Sequence, residues 1–259
     1  MAMTMQPDFG ATALDYATHR AGFPDSLFER LKPFGVGKAG QSVVDLGTGT
    51  GTLARGFARR GCRVVGVDIA DRLLEQARAL DGAEGLETEY RIARAERTGL
   101  PERCAEVVSA GQCWHWFDRA AVAAEVARIL VPRGSVVIAY FDWLPLPGNV
   151  VEATESLIAR HNAAWKFAGG IGVHPRCLRD LGQAGFREIE SFSYDVAIPY
   201  THEGWRGRIR ASAGVGASLP EEAVGDFDRD LSALLAARFP QRNLEIPHRV
   251  FAVVARAPE

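Results

Sequence analysis

Short apolar segments alternate with amphipathic ones over residues 42–141, and this alternation limits the possible folds more than any other feature. Segments such as SVVDL (42–46), RVVGVD (63–68) and SVVIAYF (135–141) are nearly continuous in apolar residues, which is typical of strands buried on both faces. Between them, DRLLEQARAL (71–80) carries its apolar residues on one helical stripe. The pattern predicts an α/β fold in which helices cover both faces of a doubly wound parallel sheet.

Further elements follow from the same periodicities and from turn residues. Strands are predicted at ETEYRIA (87–93) and AEVVSAG (105–111), and a helix at 118–130 with Asp118 as its N-cap. After residue 142 the regular alternation stops. The later segments predicted as helices are 150–162, 176–186, 202–214 and 221–239, and those predicted as strands are 188–199 and 248–257. The acidic run DFDRD (226–230) is interpreted as the solvated face of its helix.

Composition narrows the class of partner. The chain of 259 residues has a formal net charge of −2, which gives no basic surface for nucleic acid. Its apolar runs are short and its N-terminus lacks a secretory pattern, so we expect neither a membrane span nor export. The four cysteines, Cys62, Cys104, Cys113 and Cys177, are scattered without a C-x-x-C pair. This scatter predicts free thiols in a reducing compartment rather than disulfides or a zinc site, and we therefore expect a cytoplasmic protein.

The segment VVDLGTGTG places Gly47, Gly49 and Gly51 between the first strand and the following helix. Alternate glycines remove Cβ atoms, so a ligand can touch the backbone beside the free N–H groups of a helix start. Asp68 lies 17 residues after Gly51, at the end of the next strand. A carboxylate there can accept hydrogen bonds from both hydroxyls of a ribose. These features predict an adenosine-type cofactor at the carboxyl ends of the strands.

The loop departs from the dinucleotide fingerprint G-x-G-x-x-G, because Thr52 stands where the third glycine is expected. Asp45, two residues before the first glycine, would repel a pyrophosphate but suits a ligand that carries an amino group. S-adenosylmethionine has an amino group, a sulfonium cation and no phosphate. It is therefore preferred over a nicotinamide dinucleotide, and a nucleotide-dependent oxidoreductase is the rival class.

Residues 43–51, Asp68 and the later AERTGLP…AEVVSAGQCWHWFD…ILVPRGSVVIA resemble class I S-adenosylmethionine-dependent methyltransferases. The subgroup they resemble is that of small-molecule enzymes of the ubiquinone-biosynthesis and trans-aconitate type, and the likeness covers residues 14–142. It implies a Rossmann-like, seven-stranded sheet, mostly parallel with the last strand antiparallel, and a helical cap. The implied division of a single domain (1–259) is a lid at 1–35, a cofactor-binding core at 36–142, a substrate cap with remaining core elements at 143–247, and the last strand at 248–259.

The resemblance also assigns cofactor-binding residues by their position. The turn under the methionine moiety would be formed by Gly47, Thr48, Gly49 and Gly51, Asp45 would orient it and reach the amino group, and Arg20 would reach the methionine carboxylate. Asp68 would bind the ribose, and Ile69 would pack on the adenine face. The edge of the adenine would be bordered by Ala95 and Glu96, and Gln112 would form the floor of the active site. In the lid, Tyr16 would close over the site as a catalytic residue. Many relatives carry Asp immediately before the Ala-Glu pair. Here that residue is Arg94, which cannot accept a hydrogen bond from adenine.

The stretch GQCWHWFD (111–118) leaves the fourth strand beside the glycine loop. Aromatic rings there can hold reactants in line and exclude water, and a histidine can accept the proton that a nucleophile loses. His115 and Trp116 are therefore the catalytic candidates, while Trp114, Trp143 and Trp165 are candidates for substrate binding. The alternative is that HWFD only anchors the loop, with its tryptophan in a satellite core, its histidine bonded to a backbone carbonyl and Asp118 as the cap of the following helix.

The sequence thus predicts an enzyme that transfers a methyl group from S-adenosylmethionine to nitrogen or oxygen of a small, planar heteroaromatic metabolite, leaving S-adenosylhomocysteine. The alternatives are carboxyl O-methylation of a small organic acid and a non-catalytic S-adenosylmethionine-binding protein. No group of side chains has metal-ligand spacing, so no metal is expected. The expected partner is a small-molecule substrate, without nucleic acid or membrane, and the chain is expected to be a monomer or homodimer.

Overall fold

The computed structural model describes residues 21–166 and 168–258. The strands are β1 (Ser42–Leu46), β2 (Arg63–Asp68), β3 (Thr88–Ile92), β4 (Ala105–Gly111), β5 (Leu130–Trp143), β6 (Arg187–Thr201) and β7 (Asn243–Arg256). The α-helices are α1 (Asp25–Leu31), α2 (Thr52–Ala58), α3 (Asp71–Glu84), α4 (Arg119–Ile129), α5 (Val150–His161), α6 (Arg176–Gln183), α7 (His202–Arg210) and α8 (Glu221–Arg238). Short 3₁₀ turns cover Lys32–Phe34 and Trp114–Trp116.

The described strands form one seven-stranded sheet in the order β3-β2-β1-β4-β5-β7-β6. It is mostly parallel with an antiparallel pair, and helices flank it. The predicted doubly wound, Rossmann-like α/β class is therefore confirmed. The N-cap role predicted for Asp118 is also confirmed, because its Oδ1 accepts the backbone N–H of Ala121 at 3.1 Å.

The strand register brings the predicted ligand-binding positions to one edge of the sheet. Leu46 at the end of β1 pairs with Val67 of β2 and with Ala110 of β4. Asp68, the last residue of β2, pairs with Ile92, the last residue of β3. The loops that leave β1, β2, β3 and β4 therefore start from adjacent points.

Two strands begin five residues earlier than their sequence patterns predict. β5 begins at Leu130 rather than at 135, and its pairing with β4 shifts between Ala105–Leu130 and Val107–Ser135. The extra residues include Pro132, which has no N–H to donate, and Arg133, whose φ is +61°. A bulge absorbs them, so the strand continues through a segment that resembles a loop. β7 begins at Asn243 rather than at 248.

The described residues form two compact units. The core unit contains residues 22–141, 173–194 and 250–258, and the helical unit contains residues 21, 142–166, 168–172 and 195–249. Each has its own apolar interior: residues such as Val108, Val126 and Phe251 fill the first, and Leu157, Trp205 and Leu231 fill the second. The predicted division into lid, core, cap and last strand stays a prediction.

None of the described helices combines the length and hydropathy that a membrane crossing requires. The four cysteines, which all lie within the described residues, are thiols rather than disulfides, as predicted.

Candidate functional site

The glycine loop joins β1 to α2 and is held in place by backbone hydrogen bonds. Thr48 N donates to Val67 O at 3.1 Å, which ties the loop to the neighbouring strand, and Gly51 N donates to Thr48 O at 2.9 Å. Gly49 adopts a φ of +56°, and among the described residues no atom beyond its two chain neighbours lies within 4 Å of the position that a Cβ would occupy there. The loop therefore presents bare backbone to open space, as a cradle for a ligand requires.

Asp68 contacts this loop directly. Gly49 N donates to Asp68 Oδ2 at 2.8 Å, and Ala70 N donates to Asp68 Oδ1 at 2.9 Å. Burial raises the pKa of Asp68, while these backbone donors lower it. Each carboxylate oxygen keeps a second lone pair, so the group can still accept hydroxyl donors. Asp68 therefore has two functions: it orders the loop and it offers an acceptor at the sheet edge.

Asp68→Ala should weaken S-adenosylhomocysteine binding by about 1.5–3 kcal/mol, because a charged acceptor and the anchor of Gly49 are both lost. Isothermal titration calorimetry measures the change. Asp71→Ala, an exposed carboxylate at the start of α3, is the matched control and should bind as wild type. Equal affinities for the two variants would remove Asp68 from the ligand site.

Asp45 lies beneath the loop and is 1% exposed. Ser109 Oγ donates to its Oδ1 at 2.6 Å, and Thr48 Oγ1 donates to its Oδ2 at 2.7 Å. Burial raises the pKa of Asp45 to about 6, although both hydrogen bonds lower it. The group therefore carries a proton up to a higher pH than an ordinary aspartate and changes charge close to neutrality.

Binding of a ligand amino group should weaken as the pH falls below about 6, because Asp45 then becomes neutral and no longer attracts a cation. If binding requires the ionised form, the affinity for S-adenosylhomocysteine should fall about tenfold between pH 7 and pH 5. Asp68 also has a raised pKa, so the comparison uses Asp45→Asn. This variant should bind less tightly at pH 7 and lose most of the pH dependence. A wild-type affinity that stays constant to pH 5 would contradict the role.

Two large apolar side chains are exposed at the neighbouring strand ends. Ile69 is 63% exposed and Ile92 is 59% exposed. Their positions follow from the register, because Asp68 pairs with Ile92. Exposed isoleucines beside a carboxylate suit the face of an aromatic ring. Ile69 was predicted for this place, whereas Ile92, the last residue of β3, was missed because nothing in its local sequence marks it as facing a ligand.

The predicted adenine-edge residues have their own partners. Ala95 is buried, and Glu96 Oε1 accepts the backbone N–H of Asp118 at 3.0 Å. Glu96 Oε2 lies 3.4 Å from Arg94 Nε, and the Arg94 side chain is largely exposed. Glu96 therefore links the end of β3 to the start of α4, and the role of its carboxylate toward adenine stays a prediction.

The structure brings the loop after β4 into contact with the glycine loop. A Cβ at Gly47 would lie 2.9 Å from Cys113 Sγ and from Phe117, and Cys113 Sγ donates to Leu46 O at 3.1 Å. Gln112 has a φ of +63° and is fixed in that strained state, because its backbone N donates to Ala139 O and its Nε2 to Phe141 O. Strain held in this way is typical of functional loops.

The two tryptophans around His115 have different environments. Trp114 is 1% exposed, and its Nε1 donates to Asp180 Oδ2 of α6 at 3.0 Å. Trp116 is half-buried, and its ring centroid lies 4.6 Å from that of the exposed His115. Trp114 therefore supports the loop from inside, while His115 and Trp116 supply ring surface at its outside.

A buried tyrosine stands under His115. Tyr140 Oη lies 3.3 Å from His115 Nδ1, and the Tyr140 side chain is buried. On its other side His174 stacks on the Tyr140 ring with centroids 3.6 Å apart. This hydroxyl can fix the orientation of the imidazole, and in the tautomer whose Nδ1–H donates to Tyr140 Oη the lone pair that can accept a proton is on Nε2. Tyr140 and His174 were missed, because the sequence separates them from His115 by 25 and 59 residues.

The remaining predicted site residues lie outside the group formed by His115, Tyr140 and His174. Tyr16 and Arg20 lie outside the described residues. Within the predicted lid, Phe23 packs on β4, since a Cβ at Gly111 would lie 2.9 Å from its ring. Trp143 and Trp165 belong to the helical unit.

In the helical unit, Trp143 Nε1 donates to the buried Glu155 Oε1 at 2.8 Å, and the Arg208 guanidinium lies 4.7 Å from the Trp143 ring centroid. Trp165 packs near Gly214.

The interpretation of residues 226–230 as a purely solvated face was wrong for Asp228. Arg206 Nε and Arg210 Nη1 both donate to its Oδ1, at 3.0 and 2.9 Å.

Among residues 21–166 and 168–258, no three His, Cys, Asp or Glu side chains group as a metal site. Metal independence stays a prediction.

Comparisons with known proteins agree with this geometry. Residues 44–138 match the family described as a methyltransferase domain. An uncharacterized methyltransferase of Mycobacterium tuberculosis is 34% identical over 130 residues, which are 50% of this chain and 50% of that protein. A ubiquinone/menaquinone biosynthesis C-methyltransferase of Bordetella avium is 28% identical over 210 residues, covering 68% of this chain and 77% of that protein.

A solved structure from Anaeromyxobacter dehalogenans, described as a candidate type II methyltransferase, has the same fold with a TM-score of 0.65 at 24% identity. The likeness covers 93% of this chain and 99% of that one. This chain spans about half the length of the mycobacterial relatives that it matches. Residues 44–138 are therefore similar to a methyltransferase domain, and the chain has the fold of the class I methyltransferases.

Proposed function

We propose that the chain binds S-adenosylmethionine at the glycine loop and transfers its methyl group to a small metabolite, leaving S-adenosylhomocysteine. The observation that supports the proposal is the hydrogen bond from Gly49 N to Asp68, because it joins a carboxylate that could bind ribose hydroxyls to a loop backbone that the described residues leave open at Gly49. Ile69 and Ile92 offer apolar surface for adenine, and Asp45 offers negative charge beneath the loop for the amino group.

When bound, the cofactor supplies a methyl group on a sulfonium cation, which a nucleophile displaces directly. The chain's own part is to hold the acceptor, exclude water and take its proton. His115 would accept that proton at Nε2, since its Nδ1 lies beside the Tyr140 hydroxyl. Trp116 would shield the reacting atoms from water, because its half-buried ring lies next to His115. The strained Gln112 would keep this loop at the sheet edge.

The acceptor that this surface favours is small, planar and heteroaromatic, with transfer to nitrogen or oxygen. His115 and Trp116 together present aromatic surface on which a flat ring can stack, and an imidazole can bind a ring N–H or O–H. Trp143 and Trp165 are proposed as further substrate contacts, and Tyr16 and Arg20 as lid residues. Carboxyl O-methylation of a small acid and cofactor binding without catalysis remain the alternatives.

The remaining proposals concern the setting of the enzyme. The formal net charge of −2 supports a small-molecule partner rather than nucleic acid. Thiols at all four cysteines support a reducing, cytoplasmic setting. We propose a monomer or homodimer, without membrane association.

Calorimetry with S-adenosylmethionine, S-adenosylhomocysteine and NADH is the first experiment. Binding of the first two without NADH supports the proposal, whereas NADH binding alone would favour an oxidoreductase. Transfer of labelled methyl from the cofactor to metabolite pools then tests catalysis. Nuclear magnetic resonance of the product separates N-, O- and C-methylation. Binding without transfer to any pool would favour the non-catalytic alternative.

A further inference from the structure

Arg55, Asp81 and Tyr90 form a buried chain of hydrogen bonds next to the glycine loop. Arg55 Nη1 donates to Asp81 Oδ1 at 2.9 Å, and Tyr90 Oη donates to Asp81 Oδ2 at 2.8 Å. Their exposures are 7%, 3% and 9%. The three residues come from α2, α3 and β3, so the chain links three elements of the core unit. A buried ion pair of this kind persists only when its remaining donors and acceptors are satisfied.

This buried chain of hydrogen bonds contacts the glycine loop in two ways, and the first is a hydrogen bond from Arg55. Arg55 Nη2 donates to Thr50 O at 2.9 Å, and Thr50 is itself buried. One nitrogen of the guanidinium therefore binds Asp81 while the other terminal nitrogen binds the loop backbone. The planar, multiply donating shape of arginine makes this bridge possible, and lysine cannot reproduce its fixed geometry.

The second contact with the glycine loop is a steric one between Tyr90 and Gly51. A Cβ at Gly51 would lie 2.5 Å from Tyr90 Oη, so the tyrosine hydroxyl occupies the space directly beside the glycine backbone. Gly66 makes room for the ring of the same tyrosine, because a Cβ there would lie 2.7 Å from it. The hydroxyl cannot turn away without breaking its bond to Asp81. Tyr90 therefore limits where the end of the loop can go.

A loop with several glycines has many accessible conformations, and ordering it costs free energy when a ligand binds. Asp45 and Asp68 hold its first part, through Thr48 and Gly49. Arg55 and Tyr90 hold its second part, at Thr50 and Gly51. A loop fixed before binding has less entropy to lose, which raises affinity.

We propose that Arg55, Asp81 and Tyr90 are positioning residues that hold the glycine loop in its binding conformation and so set cofactor affinity without touching the cofactor. The inference rests on the proposed function, because the ligand that it concerns is S-adenosylmethionine or its product. A merely structural network would change the melting temperature but leave the affinity of the folded protein unaltered.

A double-mutant cycle on Gly51 and Tyr90 tests the steric contact, with S-adenosylhomocysteine as the probe in calorimetry. Gly51→Ala should lower affinity about tenfold, since the new Cβ meets Tyr90 Oη and the φ of +77° is unfavourable. Adding Tyr90→Phe should recover affinity several-fold, because the obstructing oxygen is gone. Gly49→Ala is the matched control. It has a similar φ of +56°, but neither Tyr90 nor any other described residue beyond its chain neighbours lies within 4 Å of its Cβ position, so Tyr90→Phe should give it no recovery.

Arg55→Lys tests the hydrogen bond, because it keeps a cation beside Asp81 but not the fork that reaches Thr50 O. We expect affinity to fall about tenfold at unchanged binding stoichiometry and unchanged far-ultraviolet circular dichroism. Wild-type affinity in Arg55→Lys, or equal recovery of Gly49→Ala and Gly51→Ala by Tyr90→Phe, would overturn the inference. If Arg55→Lys fails to fold, the glycine cycle decides alone. A wild-type chain that does not bind S-adenosylhomocysteine overturns the proposed function as well, which distinguishes the two failures.

Discussion

Gly49→Val should abolish binding of S-adenosylmethionine and S-adenosylhomocysteine. Gly49 has a φ of +56°, which a β-branched residue adopts only at a genuine cost. Its added side chain would also project away from the loop into space that the part of the chain described in the structure leaves open. Strain would pull Gly49 N away from Asp68, and the isopropyl group would fill the cradle. We expect a loss of affinity of at least about a hundredfold, which is roughly 2.7 kcal/mol.

Gly85→Val separates strain from obstruction. Gly85 follows α3 with a φ of +66°, and its Cβ position likewise meets no described residue other than its chain neighbours within 4 Å, but it is remote in sequence from the loop. Its variant should lose stability by a similar amount and still bind the ligand as wild type. Calorimetry and thermal melts of the two variants give the comparison. Wild-type binding by Gly49→Val would place the cofactor elsewhere.

His115→Ala should lower catalytic turnover by about 10²-fold or more if His115 is the general base. Affinity for S-adenosylmethionine should stay within a few-fold of wild type, because the proposed cofactor site is the glycine loop with Asp68. His115→Asn is the matched variant: its amide can still bond the Tyr140 hydroxyl but cannot take a proton at neutral pH. Both variants should therefore lose turnover alike.

The measurement is steady-state kinetics over a range of pH, with the acceptor found in the labelled-methyl screen. A fall confined to KM would indicate substrate binding rather than proton transfer. Tyr140→Phe should shift the pH profile of the wild type and leave that of His115→Ala unaltered, because the hydroxyl acts through the imidazole. Full activity in His115→Ala with an unchanged pH profile would reduce His115 to a structural residue of the loop.

An acceptor that is already an anion at neutral pH needs no base. Proximity and exclusion of water would then carry the rate. In that case Trp116→Ala and Trp143→Ala should lower turnover more than His115→Ala does. The order of the three variants therefore reports the protonation state of the acceptor.

The sequence alone determined the sheet class, the glycine loop and the acceptor at Asp68. These features depend on interactions within a few residues: apolar periodicity, glycine in a strand-to-helix turn, and a carboxylate at a strand end. The N-cap at Asp118 belongs with them, because the cap bonds a backbone N–H only three residues away. Local patterns failed at β5, where a bulge extends the strand through Pro132 and Arg133. Pairing with β4 outweighed the local turn signal there.

Only the tertiary structure decided which side chains meet. Trp114 and Trp116 lie two positions apart, yet the first is buried against Asp180, 66 residues away, and the second is half-buried beside His115. The tyrosine under His115 and the bridge from Arg55 to Asp81 likewise join elements that the sequence separates. Strand register and helix packing set these contacts. Both depend on the whole core closing at once, and a pattern confined to one element carries no record of the side chain that packs against it.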